Sequence, residues 1–153
     1  MRRTDRELSA EEAEAILKQG EYGILSTVSA EGVPYGVPIS YAYENGVLFM
    51  HCSAEGGLKV QNLKANPRAC FTVVGPTRLL PDQFATLYSS AIAFGTVEIL
   101  TEAGEKRQGI EAILNKYAAD HRENGLKYID AALDRIYILR FSVTRLSGKG
   151  RRK

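Results

Sequence analysis

The chain has 153 residues, of which 44% are hydrophobic and 25% charged, as is usual for a soluble globular protein. Its 20 basic and 18 acidic residues leave a formal charge of +2, and they do not cluster into a nucleic-acid-binding face. The first residues are charged and helical in pattern, and no apolar run approaches the roughly 20 residues of a membrane span. With only two cysteines, the chain is predicted to be a cytoplasmic protein with reduced thiols and with neither nucleic acid nor membrane as a partner.

The length predicts a single domain over residues 1–153, with an N-terminal helix region over 1–20 and a solvated basic tail over 147–153. Ser9 and Glu12 have the spacing of a capping box, and Gly20 marks the end of that first helix. Apolar residues at helical spacing and the stop signals around them predict the other helices. These lie over residues 55–66, 102–117 and 124–134.

Alternating apolar residues and turn signals predict six strands, over residues 22–28, 34–44, 47–52, 68–75, 85–100 and 135–149. Hairpin-length turns, SAEG and ENG, join the first three, which are expected to form an antiparallel meander. Pro34 and Pro38 donate no backbone hydrogen bond, so the second strand is expected at a sheet edge or at a bulge. The pattern favours a mainly β fold with flanking helices, a small antiparallel barrel of about six strands.

The stretch HCSAEGGLK places His51, Ser53 and Lys59 within one strand-to-helix connection. A phosphate binds well where hydroxyls and backbone N–H groups meet the N-terminus of a helix, and a lysine adds a positive charge. The simpler interpretation is a capped helix with a surface lysine, and the residues alone favour it. Cys52 alternates with His51 and is therefore predicted to point to the opposite face, into the core.

Other chemistry leaves no motif in the sequence. The two histidines and two cysteines do not have zinc-ligand spacing, and no metal site is predicted. The glycine-rich nucleotide loops and the GxSxG nucleophile elbow are absent as well. His51 is the only candidate for a catalytic side chain.

Seven short stretches, in order over about residues 3–149, together resemble the flavin-binding family related to pyridoxamine 5′-phosphate oxidase. They are DRELS, YGILST, GVPYGVPISY, HCSAEGGLK, NLKANPRACFTVVG, YSSAIAFG and LSGK. More narrowly, they resemble its nitroimidazole-resistance (Nim-type) branch. The resemblance implies a split antiparallel β-barrel that binds FMN at the interface of a homodimer.

The resemblance also implies a set of cofactor contacts. His51, Ser53 and Lys59 would face the phosphate and ribityl chain of FMN. Tyr88 and Ser89 would approach from the second subunit. The backbone of a strand segment would meet the polar edge of the isoalloxazine ring. That segment comprises Val37, Pro38, Ile39 and Ser40.

The chain departs from the family pattern at one point, because one extra residue lies between Gly56 and Lys59. Lys64 and Arg68 are therefore alternatives to Lys59 as the phosphate contact.

The function that the resemblance implies is an FMN-dependent oxidoreductase acting on a small molecule, such as a nitroimidazole that is reduced to an amine. A second hypothesis is a flavin- or haem-binding module without turnover, with His51 as an axial haem ligand. A third is pyridoxamine 5′-phosphate oxidation, for which RLSGKGRRK is a poor second phosphate site. A deazaflavin would present the same phosphate and a similar ring edge, so it stays an alternative to FMN.

Overall fold

The structure is a computed structural model and describes residues 3–152. Nine strands within this range form one antiparallel sheet. They are β1 (Glu7–Leu8), β2 (Tyr22–Val28), β3 (Pro34–Ser40), β4 (Ala42–Glu44), β5 (Val47–Ser53), β6 (Arg68–Val74), β7 (Arg78–Leu80), β8 (Ala85–Leu100) and β9 (Ile136–Arg151). The helices are α1 (Ala10–Gln19), α2 (Leu58–Ala65), α3 (Ala103–Tyr117) and α4 (Arg122–Ala132).

The sheet is curled into a split β-barrel. Its strand order is β3-β2-β6-β8-β9-β5-β4, with β1 added beside β9 and β7 beside β8. β3 and β4 follow one another in the chain but lie at opposite ends of this order. Because the sheet curls, β3 nevertheless comes close to β5 without a ladder of hydrogen bonds between them. The expected mainly β barrel with flanking helices is confirmed.

The predicted second strand over residues 34–44 is broken at Tyr41, which makes the prediction of a three-strand meander wrong. The Tyr41 side chain is fully buried and donates a hydrogen bond of 2.6 Å to the carbonyl oxygen of Leu17. Its backbone N–H donates to the hydroxyl of Tyr117 at 2.9 Å instead of to a neighbouring strand. β3 therefore pairs with β2 alone, whereas β4 pairs with β5. The proline-bearing strand is at a sheet edge, as predicted.

The prediction of a solvated tail over residues 147–153 is also wrong as far as Arg151, whereas the strand predicted over residues 135–149 is formed and extends two residues further. β9 continues to Arg151 and pairs there with β8, and Lys149 is opposite Glu7 of β1. Gly148 and Gly150 are buried, and a Cβ at Gly148 would lie 2.9 Å from the Cβ of Ala13. The close packing of α1 therefore holds this end of the strand in the barrel. Residue 153 of the predicted tail, and residues 1 and 2 of the predicted N-terminal region, lie outside the described residues.

Most helix predictions are confirmed with small changes of boundary. The capping box is formed, since Ser9 Oγ accepts from the Glu12 N–H at 3.2 Å and Glu12 accepts from the Ser9 N–H at 2.9 Å. The helix predicted over residues 55–66 starts only at Leu58, because the preceding residues form a turn. None of the helices in the described part of the chain is long and apolar enough to cross a membrane.

The curled sheet has an inner face packed by α1 and α2 and an outer face that is only partly covered. The inner core includes Leu17, Leu25, Met50, Phe71 and Phe141, all of them fully buried. On the outside, α3 packs over β4, β5 and the first half of β9. No helix of residues 3–152 packs on the outer face of β3, β2, β6 and the first half of β8.

Candidate functional site

The connection between β5 and α2 is a tight turn that uses two glycines. Gly56 has φ +85° and Gly57 has φ +148°, conformations that side-chain-bearing residues rarely adopt. Ser53 stabilises the turn, because its carbonyl accepts from the Gly56 N–H at 3.1 Å and its hydroxyl from the Glu55 N–H at 3.2 Å. The strand therefore ends directly against the N-terminus of the helix.

The N-terminus of α2 offers backbone donors without acceptors. The N–H groups of Gly57, Leu58 and Lys59 have no hydrogen-bond partner among residues 3–152. No side chain caps the helix, and its first turn has no acidic residue. Together with the positive end of the helix dipole, these donors fit a phosphate group. We call Ser53–Lys59 the β5–α2 turn.

Lys59 lies in the first turn of α2 and is half-buried. Burial raises the pKa of the Cys52 thiol, and the Lys59 ammonium opposes that effect, which places Lys59 beside the end of β5. Lys64 lies near the other end of the helix, about 7.5 Å along the axis from Lys59 at 1.5 Å per residue, and Arg68 begins β6 beyond that end. Of these three cations, Lys59 therefore lies at the free N–H groups.

His51 points away from the core, and Cys52 is buried on the opposite face, as predicted. Desolvation lowers the pKa of the His51 imidazole, so it is neutral at pH 7. No hydrogen bond to the imidazole is formed within the described chain. The side chain faces α4 rather than Lys59, so the structure brings Ser53 and Lys59 to one turn and directs His51 into a neighbouring recess.

The strand segment Val37–Ser40 alternates between the two faces of β3. Val37 and Ile39 pack against the inner core, whereas Pro38 and Ser40 are exposed on the outer face. The edge of β3 that faces away from β2 has no strand beside it in the described chain, so its backbone groups are available to a ligand. This edge approaches β5. The β5–α2 turn begins at the C-terminal end of that strand.

Tyr88 and Ser89 are distant from His51 within one chain. Tyr88 pairs with Arg151 at one end of β9, and His51 pairs with Ile138 at the other end. At about 3.3 Å per residue this is roughly 40 Å along the strand. The Tyr88 hydroxyl has a lowered pKa because Arg6 and Lys149 lie beside it. Ser89 packs against Gly75, where an added Cβ would lie 2.3 Å from Ser89 Oγ.

Two groups of residues near these sites had no sequence motif to indicate them. The first is the part of α4 and β9 that surrounds His51, including Tyr128, Ala132 and Ile136. Only the apolar periodicity of residues 124–134 indicated a buried helix face there. The second is the row of cations on β9 near Tyr88, which was predicted to be a solvated tail. No group of three or more His, Cys, Asp or Glu residues suited to a metal ion occurs in residues 3–152.

Comparisons with known proteins agree with the split-barrel fold. The sequence profile described as pyridoxamine 5′-phosphate oxidase matches residues 9–150. No curated protein matches the sequence. A candidate 5-nitroimidazole antibiotic resistance protein from Bacteroides thetaiotaomicron is 27% identical, with a TM-score of 0.81 over 94% of this chain and 86% of the other.

Two further solved structures share the fold. An FAD-binding protein from Mesorhizobium loti is 24% identical, with a TM-score of 0.69 over 97% of each chain. An FAD- and haem-binding protein from Mycobacterium smegmatis is 19% identical, with a TM-score of 0.78 over 95% of this chain and 72% of the other.

Proposed function

Because the chain belongs to the pyridoxamine 5′-phosphate oxidase family, we propose that it is a flavin-dependent oxidoreductase that binds FMN with the phosphate at the β5–α2 turn. The observation that carries this proposal is the set of three backbone N–H groups, on Gly57, Leu58 and Lys59, that have no acceptor in residues 3–152. Lys59 adds a full positive charge at the same helix end, and the Ser53 hydroxyl lies at the start of the turn.

A bound flavin supplies two-electron transfer, and the protein supplies binding, orientation and exclusion of water. In this proposal the β5–α2 turn holds the phosphate. The unpaired edge of β3, over Val37–Ser40, offers backbone donors and acceptors to the polar edge of the ring. The prolines of this strand keep the edge from pairing with another strand, because they lack N–H donors.

The bare outer face of the sheet is proposed as a homodimer interface. Pro38, Ile24, Thr72 and Ile92 are register partners on four adjacent strands, and they form one row across this face. Val74 is 62% exposed on the same face. Mainly apolar rows of this kind mark interfaces, and a second copy would cover this one.

In such a dimer, Tyr88 would reach the flavin of the other subunit. Arg6 and Lys149 lie beside the Tyr88 hydroxyl and offer two cations to an anionic cofactor.

The substrate class proposed is a small nitroaromatic, by analogy with the candidate nitroimidazole resistance protein. Reduction of a nitro group to an amine takes up six electrons and six protons and releases two waters. The flavin would deliver these electrons in pairs, and a reduced nicotinamide is the class of donor that would replenish it. No side chain near the β5–α2 turn needs to be a strong acid or base for this reaction, which agrees with the absence of a catalytic constellation in the sequence.

A second candidate function, a haem- or flavin-binding module without turnover, is supported by one observation. The His51 imidazole is neutral, leaves a ring nitrogen free within the described chain and borders an apolar recess, and a free neutral imidazole nitrogen is the group that haem iron binds. The fold relative from Mycobacterium smegmatis binds FAD and haem.

The first test is the visible spectrum of the purified protein, with the mass of the released ligand. Two flavin bands and the mass of FMN support the proposal, whereas the mass of a deazaflavin changes the cofactor but not the site. A single intense Soret band supports the haem alternative. Anaerobic reoxidation of the reduced protein by 2-methyl-5-nitroimidazole then separates an enzyme from a module, and formation of pyridoxal 5′-phosphate in air would identify an oxidase instead.

The phosphate site is tested by comparing FMN with riboflavin. The double variant Ser53→Ala/Lys59→Ala should weaken FMN binding by about 2–4 kcal/mol, at about 1.5–3 kcal/mol per charged hydrogen bond, and leave riboflavin almost unchanged. Lys64→Ala, at the far end of α2, is the matched control and should change neither affinity. An equal loss for FMN and riboflavin would contradict a phosphate at this turn.

A further inference from the structure

A recess lies between α3, α4 and the start of β9, and His51 is one of the residues that line it. One cavity of about 460 Å³ is bounded by both helices, and a second of about 710 Å³ opens toward the β5–α2 turn. The two cavities share four residues, His51, Tyr128, Ala132 and Ile136, and are therefore parts of one depression. We call it the α3–α4 recess. Its size is in the range of small-molecule sites.

The helix-bounded part of the recess is apolar. Its aliphatic lining consists of Ile110, Ile113, Leu114, Ile129 and Ile136. Tyr128 forms one wall and is 76% exposed, although it is a large aromatic side chain. The polar groups are few, chiefly the His51 imidazole and the Asn124 side chain. An apolar cavity with few polar groups is typical of a site that binds a flat organic molecule and orients it.

Close packing fixes the walls of the recess. A Cβ at Gly125 would lie 2.3 Å from Leu114 Cδ1, so α4 is in direct contact with α3 at this glycine. A Cβ at Gly109 would lie 2.6 Å from Ile138 Cγ2, so α3 is equally close to β9. Ion pairs from Arg107 to Asp130 and from Arg122 to Glu111 also join the two helices. The cavity is therefore pre-formed and does not depend on a ligand to open it.

The charges at the mouth favour a neutral ligand. Glu55, Asp134 and Arg135 border the wider part of the recess, so both signs of charge are present and neither dominates. The His51 imidazole is neutral at pH 7 and offers one donor and one acceptor, with no partner in residues 3–152. A phosphate-bearing molecule would find no strong positive site here, whereas a neutral ring with one polar edge would pair with His51.

We propose that the α3–α4 recess binds a small neutral aromatic molecule, with its polar edge toward His51 and its ring against Tyr128. This inference rests on the function proposed above and assigns the recess as the substrate site of that oxidoreductase. Ser53 belongs both to the recess and to the β5–α2 turn, so the recess opens next to the proposed phosphate site of the flavin. Tyr128 and Ile136 are then specificity-determining residues that no sequence motif indicates.

The test is a titration of the protein with 2-methyl-5-nitroimidazole, followed by ¹H–¹⁵N NMR before and after FMN is added. We expect the largest shifts in α4 and at the start of β9. Tyr128→Ala should weaken binding about three- to tenfold, the usual value of one aromatic contact, and His51→Gln should weaken it similarly. Tyr128 is exposed, so its replacement should not unfold the chain. Lys127→Ala, on the neighbouring exposed position of α4, is the matched control and should have no effect.

Each result either supports or overturns the assignment. Equal affinity in the parent and in Tyr128→Ala, or shifts confined to other elements, would overturn it. The assignment would also be overturned if the NMR shifts in α4 and β9 disappeared when the protein concentration is raised until dimers form. In that case a second copy of the chain would fill the recess. If the aromatic binds as expected but the flavin-loaded protein is not reoxidised by it, the recess stands and the proposed oxidoreductase fails. If reoxidation occurs but Tyr128→Ala does not change it, the assignment of the recess as the substrate site is refuted and the proposed oxidoreductase function stands.

Discussion

The side-chain amide of Asn62 donates a hydrogen bond of 3.0 Å to the hydroxyl of Thr27, and both side chains are buried. Asn62 is on α2 and Thr27 on β2, so this bond joins the helix of the β5–α2 turn to the sheet. Burial of a polar group is costly unless it is paired, and the two groups satisfy each other. The position of the free N–H groups at the start of α2 therefore depends on a contact at its middle.

We predict that Asn62→Leu lowers the free energy of unfolding by about 1–3 kcal/mol, because it leaves the Thr27 hydroxyl buried without a partner. FMN affinity should fall as well, since α2 would shift against β2. Urea unfolding at fixed protein concentration gives the first quantity and a flavin titration the second. The double variant Asn62→Leu/Thr27→Val should recover part of the stability, and a double variant less stable than Asn62→Leu alone would contradict this account.

The second prediction concerns Gly57. Its φ of +148° is a glycine conformation, and an added Cβ would meet no atom within 4 Å. Gly57→Ala should therefore cost about 1–3 kcal/mol through backbone strain rather than through a clash. It should also weaken FMN binding, because the strain is relieved by moving the N–H groups of the turn.

Gly32 is the matched control for this substitution. It has φ +83° in the hairpin between β2 and β3, and an added Cβ there also has open space. Gly32→Ala should lower stability to a similar extent without changing FMN affinity. If both variants weaken FMN binding equally, the effect comes from general stability and the role of Gly57 at the phosphate is refuted.

The third prediction tests the proposed dimer interface. Ile92 lies in the apolar row across the outer face, so Ile92→Lys should produce a monomer in sedimentation velocity and lower the flavin occupancy. Val33→Lys changes an equally apolar residue, 60% exposed in the β2–β3 hairpin, and should stay dimeric. A parent protein that is monomeric at all concentrations and still holds its flavin would contradict the proposal that the outer face is a dimer interface needed for the flavin site.

Local signals in the sequence predicted much of the fold. Capping, hairpin turns and apolar periodicity are short-range properties, which is why α1, α3 and the β2–β3 hairpin were predicted correctly. The break at Tyr41 was not predictable, because it depends on hydrogen bonds to Leu17 and Tyr117, both distant in the sequence. For the same reason the end of β9 was mistaken for a tail, since its glycines and cations indicate a loop unless the packing of α1 is known.

The candidate site was predictable only in part. Ser53 and Lys59 were found because the turn that joins them is continuous in sequence. The recess around His51 was missed, because Tyr128 and Ile136 come from later elements that the barrel places beside β5. A resemblance to a family gives residues their roles one by one, but the direction of a side chain such as His51 depends on the packing around it.

The last prediction concerns pH and the C-terminal end of α3. The Lys116 ammonium lies 3.8 Å from the centre of the Tyr41 ring and donates to the Gly20 carbonyl oxygen at 2.6 Å. Burial lowers the pKa of Lys116 to about 8, from 10.5 in an unperturbed lysine. Between about pH 8 and pH 10.5, Lys116 has lost its proton in the native protein and retains it in the unfolded chain. The free energy of unfolding should therefore rise with pH above about 8.

Tyr41 sets the upper limit of this rise. Burial raises the pKa of its hydroxyl, so the native protein keeps that proton while the unfolded chain loses it near its ordinary pKa of 10. Stability should fall there, and the contribution of Lys116 is isolated between about pH 8 and 9.5. The rise should be about 1 kcal/mol, less than the full shift in pKa would give at 1.36 kcal/mol per unit, because the Lys116 side chain is only partly buried.

Lys116→Met keeps the aliphatic stem against the Tyr41 ring and removes the titrating group. Chemical unfolding at several pH values should then show no rise between pH 8 and 9.5, while the fall above pH 10 remains. Lys18→Met is the control, because Lys18 is an exposed lysine paired with Glu14 and should leave the rise intact. If Lys116→Met and the parent have the same pH profile, the native ammonium keeps its proton through this range, and its attraction to the Tyr41 ring outweighs the desolvation.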